Sequence, residues 1–342
     1  MKIVFVHIGN NSSPTLFQTA EIAKATNPHS EICLITDQDS LIENFPGTIY
    51  LFDKSKVYSF LDFYIRKNKE LKEVAGGYWL NTILRIFALM QVAELDRNEG
   101  IIHLESDVYL YVENAGIENL PLPQDIVSFP RLGKSRGIAS ILYSPNADAM
   151  ERFLVQLRSL LFENPYLNND MDLLGHALNR KFAFEFASVP NTAIANMGKN
   201  YLFDGAALGQ YLLGVDPIHT AGSVYSGFQN SDYPADISKF HWSIPDTGRI
   251  TISYEEVEYE VVNLHAHSKE LIGIPDKSNP RWLQIIGEAN GELPRIVSSR
   301  EITRTHFAKP SIVNRLRIAR KIGYLKQMKK YSQRKFPSLH RN

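Results

Sequence analysis

The chain has 342 residues, of which 44% are hydrophobic and 11% aromatic, enough to bury the core of a large domain. Its single cysteine, Cys33, excludes an internal disulfide framework and is typical of a reducing compartment. The net charge is zero, yet residues 300–342 hold thirteen of the 37 basic residues and one of the 37 acidic ones. Residues 1–299 are therefore acidic, which disfavours nucleic acid as their partner, and the tail is electrostatically separate.

The first elements form a βαβ unit. "KIVFVHIG" predicts a strand that ends at Gly9, a helix follows near Thr15 to Thr26, and "EICLITD" predicts a second strand that ends at Asp37. This order predicts an α/β domain with a mostly parallel, Rossmann-like sheet, whose ligands lie beyond the carboxyl ends of its strands. The candidate donor-binding residues there are His7, Gly9, Asn10, Asn11, Thr36 and Asp37. Neither strand is followed by a G-x-G-x-x-G or G-K-[ST] loop, which disfavours dinucleotide and P-loop sites.

Helices and strands then alternate. "YWLNTILRIFALMQVAELD" predicts one helix from Tyr78 to Asp96, in which Arg85 either snorkels to the surface or reaches a phosphate. "DIVSFPR" and "GIASILYSP" predict two strands, "NADAMERFLVQLRSLLFENP" a long helix, and "YEVVNLHAHSKEL" a closing strand. "YLFDGAALGQYLLG" predicts a helix capped by Asp204 and ended by Gly214.

Two carboxylates interrupt the apolar run "IIHLESDVYLY". If this run is one strand, Glu105 and Asp107 share a face and Ser106 lies on the other. The pair could be a solvated strand end or a β-turn aspartate, the acid and base of a hydrolase, or a site for Mg²⁺ or Mn²⁺ that bridges to a substrate phosphate. The apolar stretch 101–104, which leads directly into the acidic triplet, favours the cation.

The run "HLESDVYLY" resembles the D-x-D motif of glycosyltransferases with the GT-A fold, with Glu105 in place of the first Asp and Asp107 matching the last. "NLHAHSK" resembles the late His and Lys that complete the metal shell and contact the diphosphate in several of these families. The resemblance covers the layout of residues 1–275. It implies Glu105, Asp107, His265 and His267 as metal ligands and Ser106, Lys269 and Arg85 as donor contacts.

Two further segments resemble parts of these enzymes. "NNDMDLLGHALN" is similar to an Asp-x-Asp near the sugar pocket of some retaining members, which implies Asp170 or Asp172 beside the donor sugar or acceptor. "FDGAALGQYLLGVDP" is similar to a stretch of bacterial polysaccharide glycosyltransferases, which implies Asp204 on the acceptor side, as general base if the reaction inverts. Plain helix capping explains all three aspartates equally well.

The resemblance implies a metal-dependent glycosyltransferase of the hexosyltransferase type. It would move a sugar from a UDP- or GDP-linked donor to a hydroxyl of a glycan or lipid-linked glycan in bacterial surface-polysaccharide synthesis, with Mn²⁺ or Mg²⁺. Residues 1–110 would form the nucleotide-binding half and 111–299 the acceptor half. The alternatives are a metal-dependent nucleotidyltransferase and a non-catalytic nucleotide- or sugar-binding protein.

The tail "PSIVNRLRIARKIGYLKQMKKYSQRKF" predicts a basic amphipathic helix that begins near Pro310 and Ser311. Such a helix suits an anionic membrane surface; a nucleic-acid patch and a helix packed on the domain or on a second subunit are the alternatives. The chain shows no signal peptide and no membrane-spanning segment. We therefore expect a cytoplasmic protein, with the tail favouring peripheral attachment to the inner face of the membrane.

Overall fold

The computed structural model describes residues 1–9, 15–72, 77–110, 117, 120–132, 135–190, 194–196, 199–213, 233, 235–246, 248–266 and 273–292. The basic tail and Gly214 lie outside these residues, so the predictions for them stay predictions. Within the described part, no helix combines the length and the apolar character needed to cross a bilayer.

Helices and strands alternate through the first half of the chain. The α-helices are α1 (Leu16–Thr26), α2 (Lys54–Phe60), α3 (Asp62–Lys67), α4 (Tyr78–Ala88), α5 (Met90–Ala93), α6 (Ala147–Glu163), α7 (Asp170–Asn179), α8 (Ala207–Leu213) and α9 (Pro280–Ala289). The strands are β1 (Lys2–His7), β2 (Glu31–Thr36), β3 (Thr48–Leu51), β4 (Ile101–Leu104), β5 (Val108–Leu110), β6 (Ser128–Leu132), β7 (Arg136–Gly137), β8 (Ile141–Ser144), β9 (Phe184–Phe186), β10 (Ile194–Asn196), β11 (Lys199–Phe203), β12 (His241–Ser243), β13 (Thr251–Tyr254) and β14 (Val257–His265).

The larger sheet has the order β3-β2-β1-β4-β8-β6-β7, with β9 beside β6. Strands β3, β2, β1 and β4 are parallel to one another, and β8 is antiparallel to its neighbours. The predicted α/β class with a mostly parallel sheet is confirmed. From β1 the chain proceeds outward through β2 to β3, and β4 then pairs with the other side of β1. The carboxyl ends of β1 and β4 therefore flank a topological switch point, where sheets of this kind bind ligands.

Both faces of this sheet are buried, which explains the continuous apolar runs of its strands. On one face, Val4 and Leu142 pack into a cluster with α4, α6 and α7. On the other, Ile3 and Phe5 pack against Leu16 of α1 and against strands of a second sheet.

The second sheet, which the sequence did not predict, has the order β10-β11-β14-β13-β12, with β5 beside β14. Its core contains two fully buried tryptophans, Trp242 and Trp282, packed with residues of α8 and α9. Because β4 belongs to the larger sheet and β5 to this one, residues 105–107 carry the chain from one sheet to the other.

The helix predicted from Tyr78 to Asp96 is wrong in its extent. Helix α4 ends at Ala88, where the N–H of Leu89 bonds to the carbonyl of Ile86, and the short helix α5 follows. An i→i+3 bond of this kind tightens the last helical turn and ends the regular α-helix.

Candidate functional site

The two carboxylates project from a turn and not from a continuous strand. Strand β4 ends at Leu104, and the N–H of Val108 donates to the carbonyl of Glu105 at 3.2 Å, which closes a turn before β5. The run "IIHLESDVYLY" is therefore not one strand with Glu105 and Asp107 alternating on one face, and Asp107 belongs to a turn, as in the β-turn alternative. The turn itself brings the two carboxylates together, at the carboxyl end of β4 beside the switch point.

His265 joins these carboxylates from the second sheet. It is the last residue of β14 and lies opposite Val108 in the antiparallel pair of β14 and β5. Its Nε2 lies 3.3 Å from Oδ1 of Asp107 and 3.4 Å from Oε2 of Glu105. Among the described residues, this trio has ligand atoms that all lie within 4.8 Å of one another.

The orientation of the imidazole is set by its other nitrogen. Nδ1 of His265 lies 2.9 Å from the carbonyl oxygen of Gly205. A carbonyl can only accept, so Nδ1 carries the proton and Nε2 faces the carboxylates, as in many metal-binding histidines. Burial alone would lower the pKa of His265, but Asp107 and Glu105 raise it to about 10. Without a cation, the ring is protonated at neutral pH and offsets one carboxylate.

Arg85 of α4 reaches the same trio. Its Nη2 lies 2.5 Å from Oε1 of Glu105 and 2.6 Å from Oδ2 of Asp170, and all three side chains are largely buried. Burial would lower the pKa of Arg85, but Glu105 and Asp170 raise it well above its ordinary value. Arg85 is thus a permanent cation that ties α4, the acidic turn and the start of α7 together.

Tyr78, the first residue of α4, lies at the border of this cluster. The residue as a whole is 53% exposed. Desolvation raises the pKa of its hydroxyl to about 12; Glu105 and Asp170 also raise this pKa, while Arg85 opposes the rise. Reasoning from sequence missed Tyr78, because a tyrosine at a helix start carries no signal of what it faces.

The acidic turn is also held by α1. The hydroxyls of Thr15 and Thr19 lie 2.8 and 2.7 Å from the carbonyl oxygen of Ser106. Thr15 stands at the N-cap of α1, yet its side chain makes no capping bond to the helix. Ser106 thus lies within the predicted site, where its carbonyl anchors the turn.

The predicted donor-binding residues of β1 and β2 meet at one edge. The N–H of Gly9 donates to Oδ1 of Asp37 at 2.9 Å. Gly9 has a φ of +99°, and a Cβ there would lie 2.4 Å from the Asn81 side chain, so glycine is required. His7 is half-buried at the end of β1, whereas Thr36 is fully buried and accepts the N–H of Gln38.

The three predicted catalytic aspartates lie in different settings. Asp170 is the first residue of α7, 4% exposed and bound to Arg85. Asp172 belongs to the cap of the same helix, where Asn169 accepts its N–H at 2.8 Å and donates to its carboxylate at 2.8 Å. Asp204 is 1% exposed, and its carboxylate accepts three backbone N–H groups, so it offers no open oxygen to an acceptor hydroxyl. Burial raises the pKa of Asp204, opposed by those donors.

Four predicted site residues lie outside the described part of the chain: Asn10, Asn11, His267 and Lys269. Their assignments stay predictions.

The trio suits a divalent cation by its chemistry. Two carboxylates and one imidazole, with the imidazole held by a backbone carbonyl, form a donor set that Mn²⁺ accepts, and Mg²⁺ shares the oxygen ligands. Among the described residues, Arg85 and a protonated His265 lie next to the carboxylates of Glu105, Asp107 and Asp170, whose three negative charges outnumber these two positive ones. The residues present therefore fit such an ion.

Comparison with known proteins gave structural neighbours only. The chain matches no protein-family model and no curated protein. Among solved structures it is similar to the PaToxG glycosyltransferase, at 16% identity over 53% of this chain and 68% of that one, with a TM-score of 0.37. It is similar to the galactosyltransferase LgtC, solved with donor and acceptor sugar analogues, at 13% identity over 55% and 74% of the two chains, with a TM-score of 0.38. Mouse xyloside xylosyltransferase 1 matches at 9% identity over 54% and 84%, with a TM-score of 0.35.

Proposed function

We propose that this protein is a metal-dependent glycosyltransferase that takes a sugar from a nucleotide-diphosphate donor and passes it to an acceptor hydroxyl. One observation carries the proposal: Glu105, Asp107 and His265 converge at the carboxyl end of β4, beside β1, where the strand order of the parallel sheet reverses. A nucleotide bound at such a switch point would place its diphosphate next to these three side chains.

Mn²⁺ or Mg²⁺ would be held by Glu105, Asp107 and His265. When bound, the ion would neutralise the negative charge that develops on the departing nucleoside diphosphate. Arg85 adds a fixed positive charge next to the same carboxylates. His267 and Lys269 are proposed to contribute from the chain that follows β14.

The nucleoside is proposed to lie along the edge formed by His7, Gly9 and Asp37. The N–H of Gly9 and the carboxylate of Asp37 place polar groups at this edge, of the kind that a ribose or a base binds. Asn10 and Asn11 are proposed to complete it. UDP and GDP are the nucleotides to be tested.

Of the three aspartates, we propose Asp170 as the residue beside the transferred sugar. Nη2 of Arg85 contacts both Asp170 and Glu105, so the carboxylate of Asp170 lies close to the candidate metal ligands. Oδ2 of Asp172 accepts from the capping residue Asn169 and its Oδ1 lies 3.5 Å from Nε of Arg136, while Asp204 accepts from backbone donors. This arrangement favours a reaction in which Asp204 is not the base.

The acceptor is proposed to be a glycan or a lipid-linked glycan of surface-polysaccharide synthesis. The basic tail would bring the protein to the anionic inner face of the membrane, where such an acceptor is found. These assignments rest on the sequence resemblance and on the composition of residues 300–342.

The test is calorimetric titration of UDP and of GDP into the wild type and into Asp107→Ala, with and without Mn²⁺. We expect diphosphate binding that needs the metal and disappears in the variant. A folded wild type that binds neither nucleotide would contradict the proposal. Sugar transfer would release a nucleoside diphosphate, whereas pyrophosphate released from a nucleoside triphosphate would identify a nucleotidyltransferase.

A further inference from the structure

We infer that Asp204 is a positioning residue for the candidate metal ligand His265, and that the residues Asp204 and Gly205 together clamp that histidine at its backbone and at its ring. The inference rests on the proposed function, because it gives His265 the role of a ligand. It replaces the acceptor-side base that the sequence predicted at Asp204.

The contacts of the Asp204 carboxylate leave it little freedom. Oδ1 accepts the N–H of Leu208 at 3.0 Å, and Oδ2 accepts the N–H groups of Gly209 at 2.8 Å and of His265 at 2.9 Å. The side chain is almost fully buried, at 1% exposure for the residue. One carboxylate therefore joins the start of α8 to the last residue of β14.

The position of Asp204 in the chain shows that capping alone does not explain it. Helix α8 begins at Ala207, so the usual N-cap position is residue 206, which is an alanine. Capping side chains ordinarily come from that position and bind the N–H two or three residues later. Asp204 lies two residues before that position, yet it accepts the same two N–H groups, those of Leu208 and Gly209. An aspartate at 206 would serve the helix, but Asp204 also reaches the N–H of His265.

The extra residues between Asp204 and α8 have a use of their own. The carbonyl oxygen of Gly205 lies 2.9 Å from Nδ1 of His265 and so sets the orientation of the ring. Consecutive residues thus hold the backbone and the imidazole of one histidine. Gly209 allows α8 to pack closely against His265, because a Cβ at this position would lie 1.8 Å from the carbonyl oxygen of His265.

Asp204 is itself anchored on β14 of the second sheet and on the residue that precedes β8 of the larger sheet. The side chain of Asn263 in β14 accepts the N–H of Asp204 at 3.1 Å and donates to its carbonyl oxygen at 2.8 Å. The hydroxyl of Ser140 donates to the same carbonyl at 2.9 Å, while the carbonyl of Ser140 accepts the N–H of Glu105 at 3.1 Å. Through Ser140, the clamp on His265 and the ligand Glu105 are held in one network.

The two roles for Asp204 predict different kinetics. A base acts on the acceptor, so its loss would lower turnover at saturating metal and leave metal affinity unchanged. A positioning residue acts through His265, so its loss would weaken metal binding, typically by roughly 10- to 100-fold. Excess metal should then restore turnover, because the reacting groups themselves are intact.

The experiment is a Mn²⁺ titration of the full chain, wild type and Asp204→Asn, followed by turnover against Mn²⁺ concentration. We expect roughly 10- to 100-fold weaker binding in the variant and recovery of turnover at high Mn²⁺. Asn146→Ala is the control. Asn146 is the ordinary N-cap of α6, and its side chain accepts the N–H of Ala149 at 2.9 Å. Removing this cap should leave the Mn²⁺ affinity unchanged.

Other outcomes separate the two proposals. A wild type that binds no Mn²⁺ overturns the proposed function at the first titration. If the wild type binds Mn²⁺ and Asp204→Asn binds it equally well, the positioning role alone is overturned. If Asp204→Asn fails to fold, the Mn²⁺ affinity of Ser140→Ala is measured in its place. Weaker Mn²⁺ binding with an unchanged near-ultraviolet circular dichroism spectrum supports the network, and unchanged binding overturns it.

Discussion

Nε2 of His265 lies 3.3 Å from Oδ1 of Asp107, and the pairing of two strands is what brings them together. Val108, the first residue of β5, lies opposite His265, the last residue of β14. In addition, the N–H of Ala266 donates to the carbonyl of Asp107 at 2.7 Å. The candidate metal centre is therefore built by the register of the second sheet as much as by the acidic turn.

We predict that Asp107→Asn abolishes most Mn²⁺ binding while the protein stays folded. The change keeps the shape of the side chain but removes the negative charge that a hard cation requires. Affinity should fall by more than the roughly 100-fold that marks the upper range for residues that only orient a ligand. Isothermal titration with MnCl₂ measures it.

The matched control is Asp246→Asn. Asp246 is also paired with a basic group, the ammonium of Lys277, but its side chain is 83% exposed. This variant should bind Mn²⁺ as the wild type does. Equal loss in both variants, or none in Asp107→Asn, would contradict the assignment of the trio.

Metal binding should strengthen as pH rises. In the metal-free protein His265 has a pKa of about 10, because Asp107 and Glu105 outweigh the effect of burial. A metal ligand must be deprotonated, so the ion competes with one proton below that pKa. The apparent affinity should rise by roughly tenfold per pH unit between pH 6 and 8, and binding should release about one proton.

Proton release is measured by titrating Mn²⁺ in two buffers of different ionisation enthalpy at one pH. A heat of binding that is the same in both buffers, after correction for the metal's affinity for each buffer, would argue against His265 as a ligand. His241, which is exposed on β12, offers a control, since His241→Ala should leave the proton release unchanged.

The sequence allowed the site's parts to be predicted better than its geometry. Glu105 and Asp107 directly follow an apolar run, and the resemblance of "HLESDVYLY" and "NLHAHSK" to glycosyltransferase motifs then selected them together with His265. A β-turn at Asp107 was one of the alternatives left open, because an apolar run on both sides of "ESD" is equally compatible with one long strand. The second sheet was missed because its pairs, such as β11 with β14, join segments far apart in the chain.

The residues that support the site were also beyond prediction. The side chain of Ser140 makes one hydrogen bond to the backbone of Asp204 and that of Asn263 makes two, and nothing in their sequence context distinguishes them from other buried polar residues. Thr15 would be read as a helix cap, whereas its hydroxyl donates to Ser106. The capping rule fails at Thr15 because its hydroxyl makes a tertiary hydrogen bond instead of the local bond that the rule predicts.

The Arg85 ion pairs should matter for stability in a way that exposed pairs do not. Arg85→Ala would leave Asp170 and Glu105 as buried charges without their partner, which costs about 3–5 kcal/mol of unfolding free energy. Arg97 is the matched control: it also contacts two carboxylates, those of Asp148 and Glu151, but is 57% exposed. Arg97→Ala should change the unfolding free energy far less than Arg85→Ala, because water screens exposed ion pairs.

Urea unfolding followed by circular dichroism measures both variants. Adding Asp170→Asn to Arg85→Ala should recover part of the loss, because one of the two stranded charges is removed. Equal small losses in Arg85→Ala and Arg97→Ala would mean that the buried pairs are not structural.

Thr19→Val should weaken Mn²⁺ binding although Thr19 contacts no metal ligand side chain. Its hydroxyl lies 2.7 Å from the carbonyl of Ser106, between the two carboxylates of the turn. Valine keeps the volume and removes that bond, so Thr15 is then the one of these two hydroxyls that still binds the carbonyl of Ser106. We expect a loss of affinity of roughly 10-fold, at the low end for residues that orient ligands.

Thr26→Val is the control on the same helix. The hydroxyl of Thr26 lies 3.0 Å from the carbonyl of Leu110 in β5, so the two variants remove similar bonds. Both should lower the unfolding free energy by about 1 kcal/mol. A drop in Mn²⁺ affinity that is the same in both would assign the effect to general loosening of α1.

Cys33 should serve as a reporter of global unfolding. Its thiol is fully buried in β2, and burial, assisted by Glu31, raises its pKa to about 12. Only the thiolate reacts with iodoacetamide, so the native thiol is both inaccessible and protonated at pH 8. Native protein should be labelled at least roughly a thousandfold more slowly than protein in denaturant, because reaction requires the core strand to open. The urea midpoint for labelling should then coincide with that for circular dichroism, and fast labelling of the folded protein would place β2 outside the stable core.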